Sequence, residues 1–137
     1  MKILVPLVLV VALAGCATTP IPAEQAKAVP AERLFAFQQR PAGEYATLIV
    51  TRDTGMAGAR SDVKLSIGNQ PAADVGAGET VRFYLPAGEV IVGAKLDEVL
   101  LSQPIVERAV ALQPGQARRY RISVNPGVGV DLQPTAF

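Results

Sequence analysis

Read for apolar and polar positions, the chain changes period twice. Ile3 to Leu13 is an almost unbroken apolar run behind the single charge of Lys2, and it ends in the small residues Ala14-Gly15. Residues 17–29 show no strand alternation and hold Pro20 and Pro22, so they read as a semi-extended, flexible tether. Pro30 suits the first turn of a helix, where its missing N–H costs nothing, and a short helix is expected over 31–39. About two and a half turns cannot stand alone, so Leu34, Phe35 and Phe37 should dock on something larger. Arg40-Pro41-Ala42-Gly43 ends that helix.

From Tyr45 the pattern has period two. Leu48, Ile49 and Val50 lie in a β-rich run to Asp53, and Val63, Leu65 and Ile67 alternate with Asp62, Lys64 and Ser66. Further strands are expected at Ala72–Val75, around Val81, Phe83 and Leu85, from Val90 to Leu96, and from Ile105 to Leu112. Tyr120, Ile122 and Val124 should face inward while Arg119, Arg121 and Ser123 face out, and Val128, Val130 and Leu132 close the chain. Gly- and Pro-bearing turns separate these runs. About seven or eight short strands so spaced predict an all-β, antiparallel β-sandwich carrying one short N-terminal helix. No helix is long enough for a βαβ crossover, so the pairing should be largely antiparallel. The expected organisation is a leader over 1–15, a tether over 16–29, the helix and sandwich over 30–133, and a tail over 134–137.

Composition narrows the chemistry. The chain has 137 residues, one Cys, no His and no Trp; half of it is apolar and 18% is charged. That is one domain's worth of chain, and too apolar for a disordered polyelectrolyte. A formal charge of +1 offers nucleic acid no electrostatic footing. Without His, the commonest general base and the commonest transition-metal ligand are missing, and one Cys cannot form an internal disulfide.

A charged start, a short apolar run and a small-residue exit describe a secretory signal, and the run is too short to span a bilayer. Leu13-Ala14-Gly15-Cys16 resembles the lipobox of bacterial lipoproteins. The resemblance implies cleavage before Cys16, a diacylglycerol on its sulfur and an acyl chain on its new amino group, with no other cofactor. Ala17 after the cysteine implies the outer membrane, with the domain facing the periplasm. With Lys2 removed, acidic and basic residues balance, so the lipid rather than surface charge would make the membrane contact.

A second resemblance lies further on. Val63-Lys64-Leu65-Ser66-Ile67-Gly68-Asn69-Gln70-Pro71-Ala72-Ala73-Asp74-Val75, then Gly78-Glu79 and Phe83-Tyr84-Leu85-Pro86-Ala87-Gly88-Glu89, is similar to small β-sandwich domains of envelope lipoproteins and, more distantly, to PEGA-type domains. Leu112-Gln113-Pro114-Gly115-Gln116 with Tyr120-Arg121-Ile122 matches the same pattern. These motifs are turn chemistry, so they imply a fold and a location rather than an activity.

Candidate chemistry is sparse. Ser61-Asp62-Val63-Lys64 matches Ser-x-x-Lys, but strand alternation sends Ser61 and Lys64 to opposite faces, and no partner motif follows. Arg118-Arg119-Tyr120-Arg121 is the densest basic cluster; Arg119 and Arg121 are candidates for contacting envelope phosphates or carboxylates, or simply outward strand residues. Asp97-Glu98 reads as a loop opening rather than a metal site. The loop from Thr54 to Ser61, with Met56 exposed, is the expected adaptable contact surface. The function expected is therefore non-enzymatic: a lipid-anchored module binding or scaffolding an envelope protein or polymer. The alternatives are an accessory subunit of an envelope or secretion assembly and, remotely, a cell-wall hydrolase.

Overall fold

A computed structural model describes residues 18–98 and 103–136. Its strands are β1 Lys27–Ala28, β2 Tyr45–Arg52, β3 Val63–Ile67, β4 Gln70–Val75, β5 Glu79–Pro86, β6 Gly88–Leu96, β7 Val106–Leu112, β8 Ala117–Asn125 and β9 Gly129–Pro134. Eight of them fall where the period-two runs and turn residues lie. The ninth, β1, sits inside the stretch expected as a tether.

The strands form two sheets, one ordered β1-β5-β2-β8-β9 and the other β4-β3-β6-β7. Most pairings are antiparallel, but β1 runs parallel to β5 and β2 parallel to β8. The parallel pairs follow from the path of the chain. After β2 it crosses to the second sheet for β3 and β4, returns for β5, crosses again for β6 and β7, and comes back beside β2 as β8. Excursions through the opposite sheet do the work that a crossover helix does in an α/β fold.

Each sheet turns an apolar face inward. Leu48 and Val50 of β2, Val81, Phe83 and Leu85 of β5, Tyr120, Ile122 and Val124 of β8, and Val130 and Leu132 of β9 are buried in one cluster with Val63, Leu65, Val75, Val92, Ala94, Leu96, Val110 and Leu112 of the other sheet. This is a sandwich-like core without a disulfide. A register shift after Leu65 buries both Ala72 and Ala73 against β3.

The expected helix over 31–39 is not formed. Ala31–Arg33 makes a single 3-10 turn, and Leu34 is already extended. Leu34 bridges to Ala73, the Phe35 N–H donates to the Ala72 carbonyl at 3.0 Å, and the Phe37 carbonyl accepts from the Tyr84 N–H at 2.9 Å. Nine residues of helix would hold few internal hydrogen bonds, and the sheet edges offer better partners. The segment instead closes the side of the sandwich between β4 and β5. Leu34 and Phe37 pack on the core, with the Phe37 and Phe83 rings edge to face at 6.5 Å. Phe37 sits at φ 63° to make that turn.

Arg33 staples this closure. Its guanidinium binds both carboxylate oxygens of Glu79 at 2.6 and 2.8 Å, donates to the Asp74 carbonyl at 3.3 Å and lies 3.5 Å from Asp62. The Glu79 carboxylate also accepts from the Gly76 N–H at 2.7 Å. Glu79 holds the Arg33 pKa above its usual value, against the cost of desolvation.

Residues 18–29 differ from the expected flexible tether as well. The Thr19 N–H and carbonyl exchange hydrogen bonds with Thr54 at 2.8 and 3.0 Å, a turn follows at Pro22–Ala26, and the Lys27 and Val29 N–H groups donate to the Gly78 and Thr80 carbonyls at 3.0 Å. Ala23 and Val29 are buried. The stretch is a strap laid on the sandwich, held by an otherwise unpaired strand edge and by the side chains of Asp53 and Arg119.

Candidate functional site

The strap is clamped by the basic stripe of β8. In β2, Ala46, Leu48 and Val50 face the core, so Ile49, Thr51 and Asp53 point to the outer face, yet all three are buried. The register sets Ile49 beside Arg119 and Thr51 beside Arg121. Asp53, only 2% exposed, accepts from Arg121 with both oxygens and from the Thr18 hydroxyl at 2.9 Å. Glu24 of the strap stands 2.8 Å from the Arg119 guanidinium. The Glu24 carboxyl is held below its usual range by its own backbone N–H first and by Arg119 second. Asp53 holds the Arg121 pKa above its usual value, against desolvation.

Arg119 and Arg121 are thus both engaged in ion pairs within the molecule. Arg118 stands 5.9 Å from the Tyr120 ring centroid, a cation–π contact. Arg119 and Arg121 bear on the strap, directly through Glu24 and through the Asp53 that holds Thr18, whereas Arg118 stays on its own strand.

Arg52, next to Asp53, belongs to no motif, although its position in the sequence marks it. It falls in the inward phase of β2, where Ala46, Leu48 and Val50 precede it, and it is only 1% exposed. Its guanidinium donates to the carbonyls of Ser61 at 2.7 Å, Val75 at 2.9 Å and Gly58 at 2.7 Å. Burial pushes its pKa down, and Asp62 and Glu79 push back more weakly. Arg52 thus pins the 54–61 loop from below. Gly58 has φ +64°, and a Cβ there would come within 3.0 Å of Val124 Cγ1 and 3.3 Å of Arg52 Nη2. Only glycine fits that close approach.

The pinned loop carries Met56 at its tip, 87% exposed, as the sequence leads one to expect. The registers put this tip at the same end of the sandwich as the β8–β9 turn, where Val128 is 78% exposed. Ala57, Gly58, Val124, Pro126, Gly127 and Gly129 line one shallow cavity of about 290 Å³ between the two loops.

A second feature is a groove of about 310 Å³ on the outer face of the four-stranded sheet, walled by Phe35 and Ile105 and rimmed by Lys64, Asp74 and Lys95. Phe35 is 51% exposed and Ile105 half-exposed. Gly93 keeps the floor flat, since a Cβ there would meet Ser66 Oγ at 2.5 Å and Ile105 Cδ1 at 2.9 Å.

Lys64 lies in β3, 3.3 Å from Asp97 and 3.8 Å from Asp74, and these carboxylates, Asp97 first, hold its pKa above the usual value. A lysine acting as a base needs the opposite shift. Asp97 is thus an ion-pair partner at the end of β6. Among the described residues no cluster of three or more Cys, His or acidic side chains is placed to hold a metal ion. Leu13, Ala14, Gly15 and Cys16 lie outside the described residues. A scan against models of known families finds no match for the chain, and a comparison with curated proteins finds no relative.

Proposed function

We propose that the protein is a lipid-anchored, non-catalytic β-sandwich module of the outer membrane, facing the periplasm, that binds or scaffolds an envelope protein or polymer. One observation carries the reading. The chain's only cysteine ends an apolar leader-like run in the order Leu13-Ala14-Gly15-Cys16, two residues before Thr18, which is hydrogen-bonded to Asp53. What the body adds is a rigid scaffold whose buried ionisable groups are occupied with structural partners, and a surface offering contact rather than chemistry.

The groove between Phe35 and Ile105 is the contact face that suits this role. It combines two large exposed apolar side chains with the lysine ammonium of Lys95 at its rim. Such a face suits an extended protein segment with an apolar anchor and an acidic neighbour. Cells grown with labelled palmitate should yield a labelled protein in the outer-membrane fraction, and Cys16→Ser should abolish both label and sedimentation. A photo-crosslinking residue at Phe35 or Ile105 should capture a discrete envelope partner, whereas one at Asn69 should not. A wild-type protein without label removes the anchor, and equal capture from all three positions removes the groove.

A further inference from the structure

We infer that the strap makes the lipid anchor short and seats the Met56/Val128 end of the sandwich directly on the bilayer. The inference rests on the proposed acylation of Cys16 and adds where the body then sits. Two peptide steps separate Cys16 from Thr18, so their Cα atoms lie no more than about 7 Å apart. Thr18 is not free to swing, because its hydroxyl binds Asp53 and the next residue is doubly hydrogen-bonded to Thr54. A tether of the kind first expected would hold the domain some tens of ångströms away. The docked strap removes that reach.

The place where the strap begins decides which surface meets the lipid. Asp53 and Thr54 follow the last residues of β2, and β8 runs parallel to β2, so its exit turn at Pro126–Val128 lies at the same end. The 54–61 loop leaves from that end too, and the two loops wall a common cavity. Met56 and Val128 are the two most exposed large apolar side chains among the described residues, and both are at this end. The opposite end, formed by Gly68–Gln70, Ala87 and Pro114–Gly115, carries no such pair among the described residues. Charge does not explain the orientation. Arg60 stands on the loop, while Glu98 and the Lys64-paired Asp97 offset it at the same end. Insertion would then be apolar and local, a shallow wedge of two side chains beside acyl chains already in the membrane.

The test uses the acylated full chain in liposomes, with an environment-sensitive fluorophore on Met56→Cys, Val128→Cys or, as the far-end control, Asn69→Cys. Cys16 is blocked by its own lipid and takes no label. Lipids brominated near the carbonyl should quench positions 56 and 128 at least threefold more than position 69, with little dependence on anionic lipid or salt. Equal weak quenching at all three positions, in protein that carries the palmitate label, overturns the seating and leaves the anchor standing. Absence of the label from the wild type brings down both. Ten Gly/Ser residues inserted after Ala17 should at least halve the quenching at 56, and unchanged quenching would overturn the role given to the short anchor.

Discussion

Arg52 and Asp53 are adjacent charges with opposite destinations, sent to the two faces of β2 by the pleat. Arg52 enters the core end and satisfies three carbonyls that the 54–61 loop and β4 would otherwise bury without donors. Asp53 goes outward and is buried by the strap. Replacing Arg52 by Ala would strand those carbonyls and leave a void, at a cost of about 3–5 kcal/mol. The urea midpoint of Arg52→Ala should fall accordingly, and Arg52→Lys should recover only part, since an ammonium cannot span the guanidinium's fork. A midpoint within experimental error of wild type would show that the loop is held by something else. Arg52 was detectable in the sequence, being a charge in the inward phase of an apolar run. Asp53 was not, because only the strap makes its outward position a buried one.

The strap behaves as an element although its two-residue strand is the shortest among the described residues. It covers the edge of β5, which would otherwise present unpaired N–H and C=O groups to other chains. Glu24, held charged by its own backbone N–H and by Arg119, makes it sensitive to acid. Glu24 titrates below its usual value in the folded state, so its contribution is fully present above the unfolded pKa and fades as pH falls through the folded one. The strap should therefore stay docked at neutral pH and loosen below about pH 4. Protection factors of the Lys27 and Val29 amides, followed from pH 6 to 3.5, should drop before those of Leu48 and Val50. Glu24→Gln should show the weaker protection already at pH 6. Simultaneous loss along strap and β2 would place the acid sensitivity in the whole sandwich instead.

The two sheets share one apolar cluster, and the strands that meet at the centre of the larger sheet, β2 and β8, come from distant parts of the chain. Unfolding should accordingly be a single cooperative transition, coincident by far-UV circular dichroism and tyrosine fluorescence. Refolding should take milliseconds to seconds, because the β2–β8 pairing closes a long loop before it yields contacts. Non-coincident transitions, or submillisecond refolding, would mean that one sheet forms independently of the other. Under the proposed acylation of Cys16, membrane, anchor, strap and sandwich would be linked in series, and loosening the strap would lengthen the anchor.

The eight principal strands, and the inward faces of β3, β5 and β8, were legible because alternation of apolar residues depends only on the period of the extended chain, and Gly- and Pro-bearing turns interrupt it; Val128, grouped by pattern with Val130 and Leu132, stands exposed in the turn instead. The exposure of Met56 was legible for the same local reason. Three things were settled only when the sheets came together. The 31–39 segment gave up a helix because β4 and β5 offered its backbone better partners than its own nine residues could. The proline-bearing stretch before it lacks any periodic signal and became a strap because β5 had a free edge and β8 had arginines above it. Arg119 and Arg121, outward by pattern and therefore candidates for an external anion, had their charges claimed by Glu24 and Asp53. Periodicity specifies which way a side chain points; what it then meets is decided by segments far along the chain, and that is where this protein's polar contacts were assigned.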